Sequence, residues 1–245
     1  MPSNTTAIAQ NLARVRERIA KACERSGRNG SEIKLVAISK TFPPEAILAA
    51  YAEGQRHFGE NRVQEWEAKS KELADLNANW HFIGHLQSNK ARRAAQLFTQ
   101  VDSVDSLALA QRLDASVEQS QKRLPVLIEV RLSAEETKTG VKEANLEQLA
   151  RSILLLPHLE LRGLMTIPPY YEDPEKVRPY FRKLRELRDF LSEKCSQSLP
   201  IPLPALSMGM SHDFEVAIEE GATEIRVGTA IFGDRDNPNE PLNNH

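Results

Sequence analysis

Residues 205–233, ALSMGMSHDFEVAIEEGATEIRVGTAIFG, contain the pattern that decides the fold. A short apolar strand at 205–207 is followed by a segment of helical period at 213–220, and a second apolar strand follows at 224–228. Two strands that are joined through a helix run parallel to each other in one sheet. Because the same strand–helix unit recurs along the chain, the sequence predicts an α/β protein with a parallel sheet.

Working outward from this unit, eight strands can be placed, and helical segments follow nearly all of them. The predicted strands are Lys34–Ser39, Arg56–Gly59, Trp80–Gly84, Gln100–Val104, Pro125–Arg131, Leu159–Met165, Ala205–Ser207 and Glu224–Gly228. An open doubly wound sheet also satisfies this alternation. The count of eight and the length of 245 residues favour a single closed (β/α)8 barrel, known as a TIM barrel.

The two ends of the chain are predicted to lie outside the barrel. Residues 1–27 show an amphipathic helical period and are expected to form an extra helix that packs on the outer surface. Residues 234–245 are expected to form a flexible tail. No segment rich in Pro, Gly or Ser divides the chain, so residues 1–245 are predicted to form one domain.

Composition excludes several classes of protein. A net charge of −2 provides no basic surface for nucleic acid or for an anionic membrane. The longest apolar runs are far too short to span a bilayer, and the first residues lack the apolar core of a secretory signal. Only Cys23 and Cys195 are present, in polar stretches without a CxxC or a histidine partner, so neither a disulfide nor a metal site is expected. These features predict a cytoplasmic protein that binds neither nucleic acid nor membranes.

Polar residues collect where the predicted strands end, which is the side on which such barrels place their functional groups. Lys40 directly follows the first strand; most lysines lie at the surface, but desolvated lysines at such positions form Schiff bases. Gly209 and Ser211 follow the seventh strand, where Ser211 is predicted to cap the next helix, and Gly228 and Thr229 follow the eighth. Two glycine–hydroxyl turns at this place predict a site for a phosphate group.

Other polar residues at strand ends leave their roles open. Arg226 lies within the last strand and faces the ligand or pairs with a barrel carboxylate such as Glu129. His85 is interpreted as a half-buried histidine with satisfied hydrogen bonds, and Met165 as a core side chain. A lysine combined with a phosphate site fits two chemistries. One is a phosphosugar aldolase with a lysine imine, and the other is a pyridoxal phosphate protein in which the cofactor forms the imine.

Five stretches together resemble the pyridoxal phosphate homeostasis protein family. They are KLVAISKTFPPEAI (34–47), FGENRVQE (58–65), WHFIGHLQSNK (80–90), LRGLMTI (161–167) and LSMGMSHDFEVAIEEGATEIRVGTAIFG (206–233). The match runs in order from about Arg14 to Gly233, nearly the whole chain. The resemblance implies the barrel fold of the alanine racemase N-terminal domain, with pyridoxal 5′-phosphate (PLP) as the cofactor.

The resemblance also implies roles for individual residues. Lys40 is expected to hold PLP as a Schiff base, Arg226 to face the pyridine nitrogen, and Asn61 to lie near the ring's hydroxyl group. Met165 and His85 are expected to border the ring. The residues expected to hold the phosphate are Ser207, Gly209, Ser211, Gly228 and Thr229.

An arginine opposite the pyridine nitrogen disfavours protonation of the ring and weakens it as an electron sink. Racemases with the same arginine add a tyrosine from a second domain of another subunit, whereas all four tyrosines here precede the seventh predicted strand. The resemblance therefore implies a PLP-binding protein of vitamin B6 homeostasis that has no catalytic residues and no significant racemase activity. A PLP-dependent amino-acid racemase-like enzyme is the alternative. Apo-forms of PLP-dependent enzymes are possible partners, a monomer is expected rather than a dimer, and Lys138 is a hypothetical second imination site.

Overall fold

Eight parallel strands close into a barrel in the computed structural model, which describes residues 4–118, 123–133, 139–198 and 202–234. Neighbouring strands pair in the order β1–β2–β3–β4–β5–β7–β8–β9, and β9 pairs with β1 to close the ring. The predicted (β/α)8 barrel is therefore confirmed, and the open sheet is excluded. The strands are β1 Lys34–Ile38, β2 His57–Glu60, β3 Asn79–Phe82, β4 Gln100–Val104, β5 Leu124–Arg131, β6 Val141–Lys142, β7 Leu159–Met165, β8 Ala205–Ser207 and β9 Glu224–Val227.

One strand departs from the prediction. Strand β6 has two residues and pairs only with the end of β5, so it lies outside the closed ring. Two residues are too few to produce a periodic signal, which explains why the sequence predicted eight strands and not nine. The ends of the other strands lie within two residues of the predicted ends.

Helices follow the strands and cover the barrel. The helices are α1 Asn4–Ser26, α2 Pro44–Ala52, α3 Val63–Ser70, α4 Ala91–Leu97, α5 Leu107–Val117, α6 Glu143–Leu154, α7 Arg178–Lys194, α8 Phe214–Glu219 and α9 Thr229–Phe232, with short 3₁₀ turns at Gly30–Glu32, Ser88–Lys90 and Pro174–Val177. Helix α1 packs on α2, α8 and α9, as predicted for an extra outer helix. Its buried face is formed by Ile8, Leu12, Val15 and Ile19, at the spacing of three to four residues that one helical face requires. Residues 1–3 and the predicted tail from residue 235 onward lie outside the described residues.

The barrel has an apolar layer outside its strands and a largely polar interior. Between strands and helices lies one continuous apolar core, whereas Leu127, Met165 and Ala205 form a small separate cluster. Gln100 of β4 lies 3.4 Å from Glu224 of β9 through its amide nitrogen. Because β4 and β9 are not neighbouring strands, this contact crosses the interior of the barrel.

The two cysteines are free, as the sequence predicted, but their surroundings are not polar. Cys23 and Cys195 are buried at 2% and 1% exposure, and burial raises the pKa of both thiols. Among the residues that the structure describes, no helix combines the length and the apolar character needed to cross a membrane.

Candidate functional site

The predicted site residues lie at one end of the barrel, where the parallel strands end. Lys40 follows β1, which lies between β2 and β9 in the ring. Asn61 therefore follows one neighbouring strand, and Gly228 follows the other. Lys40, Asn61, Ser211 and Gly228 are half-buried, so they line a surface that solvent reaches.

Lys40 is part of a tight turn that the structure holds from several sides. Thr41 has φ 69°, and it is the one non-glycine residue with a positive φ in the described part of the chain. Its backbone N–H donates to Glu65 Oε1 at 2.5 Å. Beneath the turn, the buried ammonium of Lys69 contacts the carbonyl oxygens of Ser39 and Phe42. The sequence reasoning missed Lys69.

The turns after β8 and β9 meet at the hydroxyl of Ser211. The backbone N–H groups of Gly228 and Ala230 donate to Ser211 Oγ at 3.2 and 3.3 Å. The prediction that Ser211 caps the following helix is therefore wrong. Helix α8 begins only after Asp213, whose Oδ1 accepts from the Met210 N–H at 2.6 Å. Two backbone N–H groups thus hold the Ser211 hydroxyl at the start of α9, where its own proton can be donated to a phosphate oxygen.

Gly209 allows the backbone of its turn to pack closely against helix α8. Its φ is +90°, and an added Cβ would lie 2.6 Å from the Cβ of Ala217 and 2.9 Å from the Cα of Phe214. The carbonyl of Gly209 also accepts from the backbone N–H of Arg226 at 2.9 Å. Gly209 therefore fixes the turn that carries Ser211 between α8 and β9.

Arg226 lies inside the barrel with 3% exposure. Its Nη1 donates to Ser207 Oγ and its Nη2 donates to the carbonyl oxygen of Thr166, each at 2.7 Å. The hydrogen bonds of the guanidinium are thus not made to Glu129, whose Oε1 accepts from Thr139 Oγ1 at 2.7 Å. Burial lowers the pKa of Arg226, and nearby carboxylates oppose that change. Burial likewise raises the pKa of Glu129.

The structure places the remaining predicted residues at different depths. His85 is exposed and not half-buried as predicted, and its Nδ1 lies 3.5 Å from Asp105 Oδ2. Thr229, the first residue of α9, is exposed as well. Met165 is fully buried among apolar side chains, in agreement with a core position. Lys138 lies outside the described residues.

The backbone of Asn61 packs closely against Gly84 in the loop after β3. A Cβ on Gly84 would lie 2.4 Å from the Asn61 carbonyl oxygen, so the loops after β2 and β3 pack together at this point. Only a glycine at position 84 permits this approach. The motif GENR therefore has a structural requirement in the next strand's loop that the sequence reasoning did not identify.

A second polar cluster fills the opposite half of the barrel interior. His57 Nδ1 lies 3.1 Å from His81 Nε2, and His81 Nδ1 lies 3.2 Å from Asp102 Oδ2. His81, Asp102 and Glu224 each have one nitrogen or carboxylate oxygen of the kind that binds metal ions, and these three atoms lie within 4.8 Å of one another. The ammonium of Lys34 already lies 2.5 Å from Glu224 Oε1, so a cation of the protein itself compensates this carboxylate.

A cavity of about 680 Å³ opens on this half of the barrel and is lined by Lys34, His57 and Glu224 among others. Those residues stand at the amino ends of β1, β2 and β9, away from Lys40. This cavity is therefore not the site that the predicted residues form. We place the candidate site at the other end on the chemistry of its side chains and backbone donors.

Comparison with known proteins confirms the resemblance carried by the five stretches. The chain matches the family of the alanine racemase N-terminal domain over residues 4–236. It is 51% identical over 226 residues to the pyridoxal phosphate homeostasis protein of Aquifex aeolicus, covering 92% of this chain and 97% of that protein. It is 43% identical over 233 residues to the protein of the same name from Escherichia coli K12, with 94% and 97% covered.

Solved structures show the same relationship. PipY of Synechococcus elongatus, solved with PLP bound, is 40% identical, with a TM-score of 0.81 and coverage of 92% of this chain and 100% of PipY. The alanine racemase of Corynebacterium glutamicum is 17% identical with a TM-score of 0.68, covering 98% of this chain and 64% of the racemase. At that identity the similarity concerns the fold alone, which agrees with the alanine racemase-like barrel that was predicted.

Proposed function

Because the chain belongs to the alanine racemase N-terminal domain family, and within it to the pyridoxal phosphate homeostasis proteins, we propose that it binds pyridoxal 5′-phosphate and serves vitamin B6 homeostasis. One observation carries this proposal. Lys40, Ser211 and Gly228 follow the neighbouring strands β1, β8 and β9, respectively, at the same end of the barrel. An amine and a phosphate site at one end of the barrel match the aldehyde and the phosphate ester of one small molecule.

The residues present fit this cofactor. The N–H groups of Gly228 and Ala230 hold the Ser211 hydroxyl in place, and this hydroxyl would donate to the phosphate, for which the exposed Thr229 offers a further hydroxyl. Lys40 would hold the cofactor as a Schiff base. When bound, PLP supplies an aldehyde that condenses with amines and a ring that withdraws electrons.

Ser207 and Gly209 are better explained as supports for the site than as phosphate ligands. Ser207 is fully buried, and its hydroxyl accepts from Arg226. We therefore assign to Ser207 the orientation of the Arg226 guanidinium, which would face the pyridine nitrogen of the cofactor. A fixed cation there disfavours a proton on that nitrogen, because two positive charges would face each other. Gly209, also buried, shapes the turn that presents Ser211.

We propose a holding role rather than amino-acid catalysis. A racemase needs a second acid–base group on the face of the ring opposite the lysine. Tyr171, which follows β7, has its hydroxyl 3.1 Å from that of Tyr180, so this hydroxyl already has a partner. Tyr170 is 73% exposed, with its ring 5.3 Å from that of His212. Neither arrangement supplies an oriented second acid.

The half-exposed position of Lys40 suits exchange of the cofactor with the surroundings. An amine that reaches the mouth of the barrel would take over the imine bond from Lys40 and leave the lysine as a free amine, so apo-forms of PLP-dependent enzymes remain the expected recipients. A cytoplasmic monomer is the expected state. Lys138 as a second imination site stays a prediction, which a Lys138→Ala variant with unchanged loading and release would remove.

The test is the absorbance spectrum of the purified protein with added PLP, before and after borohydride reduction. A band near ~420 nm that borohydride removes is expected for the Schiff base, and it should be absent in Lys40→Ala. Lys90→Ala is the control, since Lys90 lies in the loop region after β3 at the same end of the barrel and is also half-buried. Added amino acids should produce no steady turnover. A colourless protein would refute PLP binding and would favour a phosphorylated sugar as the ligand.

A further inference from the structure

A buried lysine lies directly beneath the turn that carries Lys40. Lys69, on helix α3, is 8% exposed. Its Nζ lies 3.1 Å from the carbonyl oxygen of Ser39 and 3.3 Å from that of Phe42. These two carbonyls flank Lys40 and Thr41 on either side. One ammonium group therefore holds both ends of the four-residue turn.

Two carboxylates complete the surroundings of this ammonium. Lys69 Nζ lies 2.8 Å from Glu60 Oε1 and 3.0 Å from Glu65 Oε1. The same oxygen of Glu65 accepts from the Thr41 N–H, and the same oxygen of Glu60 accepts from Ser39 Oγ at 2.7 Å. The carboxylates and the ammonium thus form one network whose other bonds all end on the turn.

The turn requires this support because of its backbone conformation. The left-handed region is unfavourable for a residue with a β-branched side chain, and Thr41 is held there with φ 69°. Such a conformation persists only where the surrounding structure determines it. Here the N–H of Thr41 is bonded to Glu65, and the carbonyls on either side are bonded to Lys69.

Because the network is buried, the loss of one charged group would leave another without its partner. Glu60 is fully buried, and its Oε2 has no hydrogen-bond partner among the described residues. Burial raises the pKa of Glu60, and the Lys69 ammonium opposes that change. Removal of Lys69 would leave a buried carboxylate beside the turn without its cation, and this would favour a rearrangement of the turn.

We infer that Lys69 is a positioning residue for Lys40: by fixing the Ser39–Phe42 turn, it directs the Lys40 amine toward the aldehyde of bound PLP. This inference rests on the proposed function of Lys40. None of the four contacts above is made to the Lys40 side chain itself, so Lys69 acts through the backbone. Loss of this alignment should slow formation of the Schiff base. The turns after β8 and β9, which meet at Ser211, should stay intact.

The test compares the rate at which the Schiff-base band appears after rapid mixing with PLP. Lys69→Met keeps the length of the side chain but removes its charge and donors. We expect a rate lower by roughly 10- to 100-fold, the scale of effect that a small misplacement of a reacting group produces. Lys71→Met is the matched control, because Lys71 lies at the end of the same helix and is exposed. Its rate should equal that of the wild type.

A double variant separates positioning from a general loss of stability. Glycine adopts a positive φ without steric cost, so Thr41→Gly should keep the turn in place when Lys69 is absent. The rate of Lys69→Met/Thr41→Gly should therefore recover toward the wild-type rate, whereas a purely destabilising effect of Lys69→Met predicts no recovery. Circular dichroism verifies that each variant is folded. Glu65→Gln, which weakens the same network at a half-buried position, provides a second and milder variant.

The outcomes distinguish the two proposals. If the wild type and Lys71→Met form no Schiff-base band, the proposed function of Lys40 fails. If both form the band and Lys69→Met forms it at the same rate, Lys69 is not a positioning residue and the inference is overturned. An unchanged rate in Glu65→Gln together with an unrecovered double variant would overturn it as well.

Discussion

The histidine chain inside the barrel predicts a specific loss of stability in mild acid. The pKa of His57 is lowered from 6.5 to about 4, mainly by burial and further by the neighbouring His81 and Lys34, while Asp102 opposes the change. In the unfolded chain His57 takes up a proton near pH 6.5, but in the folded protein it does so only near pH 4. The unfolded state therefore binds more protons between these values, and the free energy of unfolding falls as the pH decreases through this range.

The size of the effect follows from the same difference. A change in pKa from 6.5 to about 4 corresponds to about 3 kcal/mol at ~1.4 kcal/mol per pH unit. His57 is half-buried, so solvent screens part of this energy. We expect a loss of roughly 1–2 kcal/mol between about pH 7 and pH 4.5 that is attributable to His57.

The assay is urea-induced unfolding of the wild type and of His57→Asn at several pH values across this range. Subtracting the two pH profiles cancels the titration of other groups, including buried carboxyls whose pKa is raised, such as Glu60 and Asp213. His158→Asn is the control, because His158 contacts Asp114 and is not one of the residues in the His57–His81–Asp102 series inside the barrel. Equal pH dependence in the wild type and His57→Asn would refute the reasoning.

Three further perturbations test the packing. Gly209→Ala places a Cβ 2.6 Å from that of Ala217, so we expect a destabilisation of about 1–3 kcal/mol, measured by urea unfolding, and weaker retention of PLP in dialysis. Leu12→Ala removes a fully buried side chain of α1 and should lower the free energy of unfolding by about 2–5 kcal/mol, with a lower Tm in calorimetry. Cys23 and Cys195 are buried thiols with raised pKa values, so Ellman's reagent should label neither until the protein unfolds.

The sequence was sufficient for the architecture because the strands of a parallel barrel are apolar runs separated by helical segments. Where that signal was weak, the prediction was incomplete. Strand β6 has only two residues, and the helical segment after β2 is regular only as Val63–Ser70 before it breaks into turns. In both places non-local packing decides the local structure, and a periodic pattern does not record such packing.

The end of the barrel at which the candidate site residues lie was predictable, but their hydrogen bonds were not. Parallel strands bring their carboxyl ends together, so Lys40, Ser211 and Gly228 had to meet at one end of the barrel. The partners of Ser211 lie 17 and 19 residues further along the chain, and no local rule identifies them. Lys69 did leave a signal, since it stands on the same helical face as the buried Val63 and Trp66, where a lysine needs a buried partner.

On the proposed function, the polar interior of the barrel explains how an arginine could serve beside the cofactor. Burial alone disfavours the charged guanidinium of Arg226, but the carboxylates of Asp102 and Asp213 oppose this, and Ser207 and Thr166 accept from its two Nη atoms. The cation is thus fixed in place before any ligand arrives. Protonation of a pyridine nitrogen that faces Arg226 would be disfavoured, because the positive charge of the guanidinium is fixed in place and would repel it. On the proposed function, the same interior that stabilises the arginine keeps the bound cofactor a weak electron sink, which suits a protein that holds PLP and releases it unchanged.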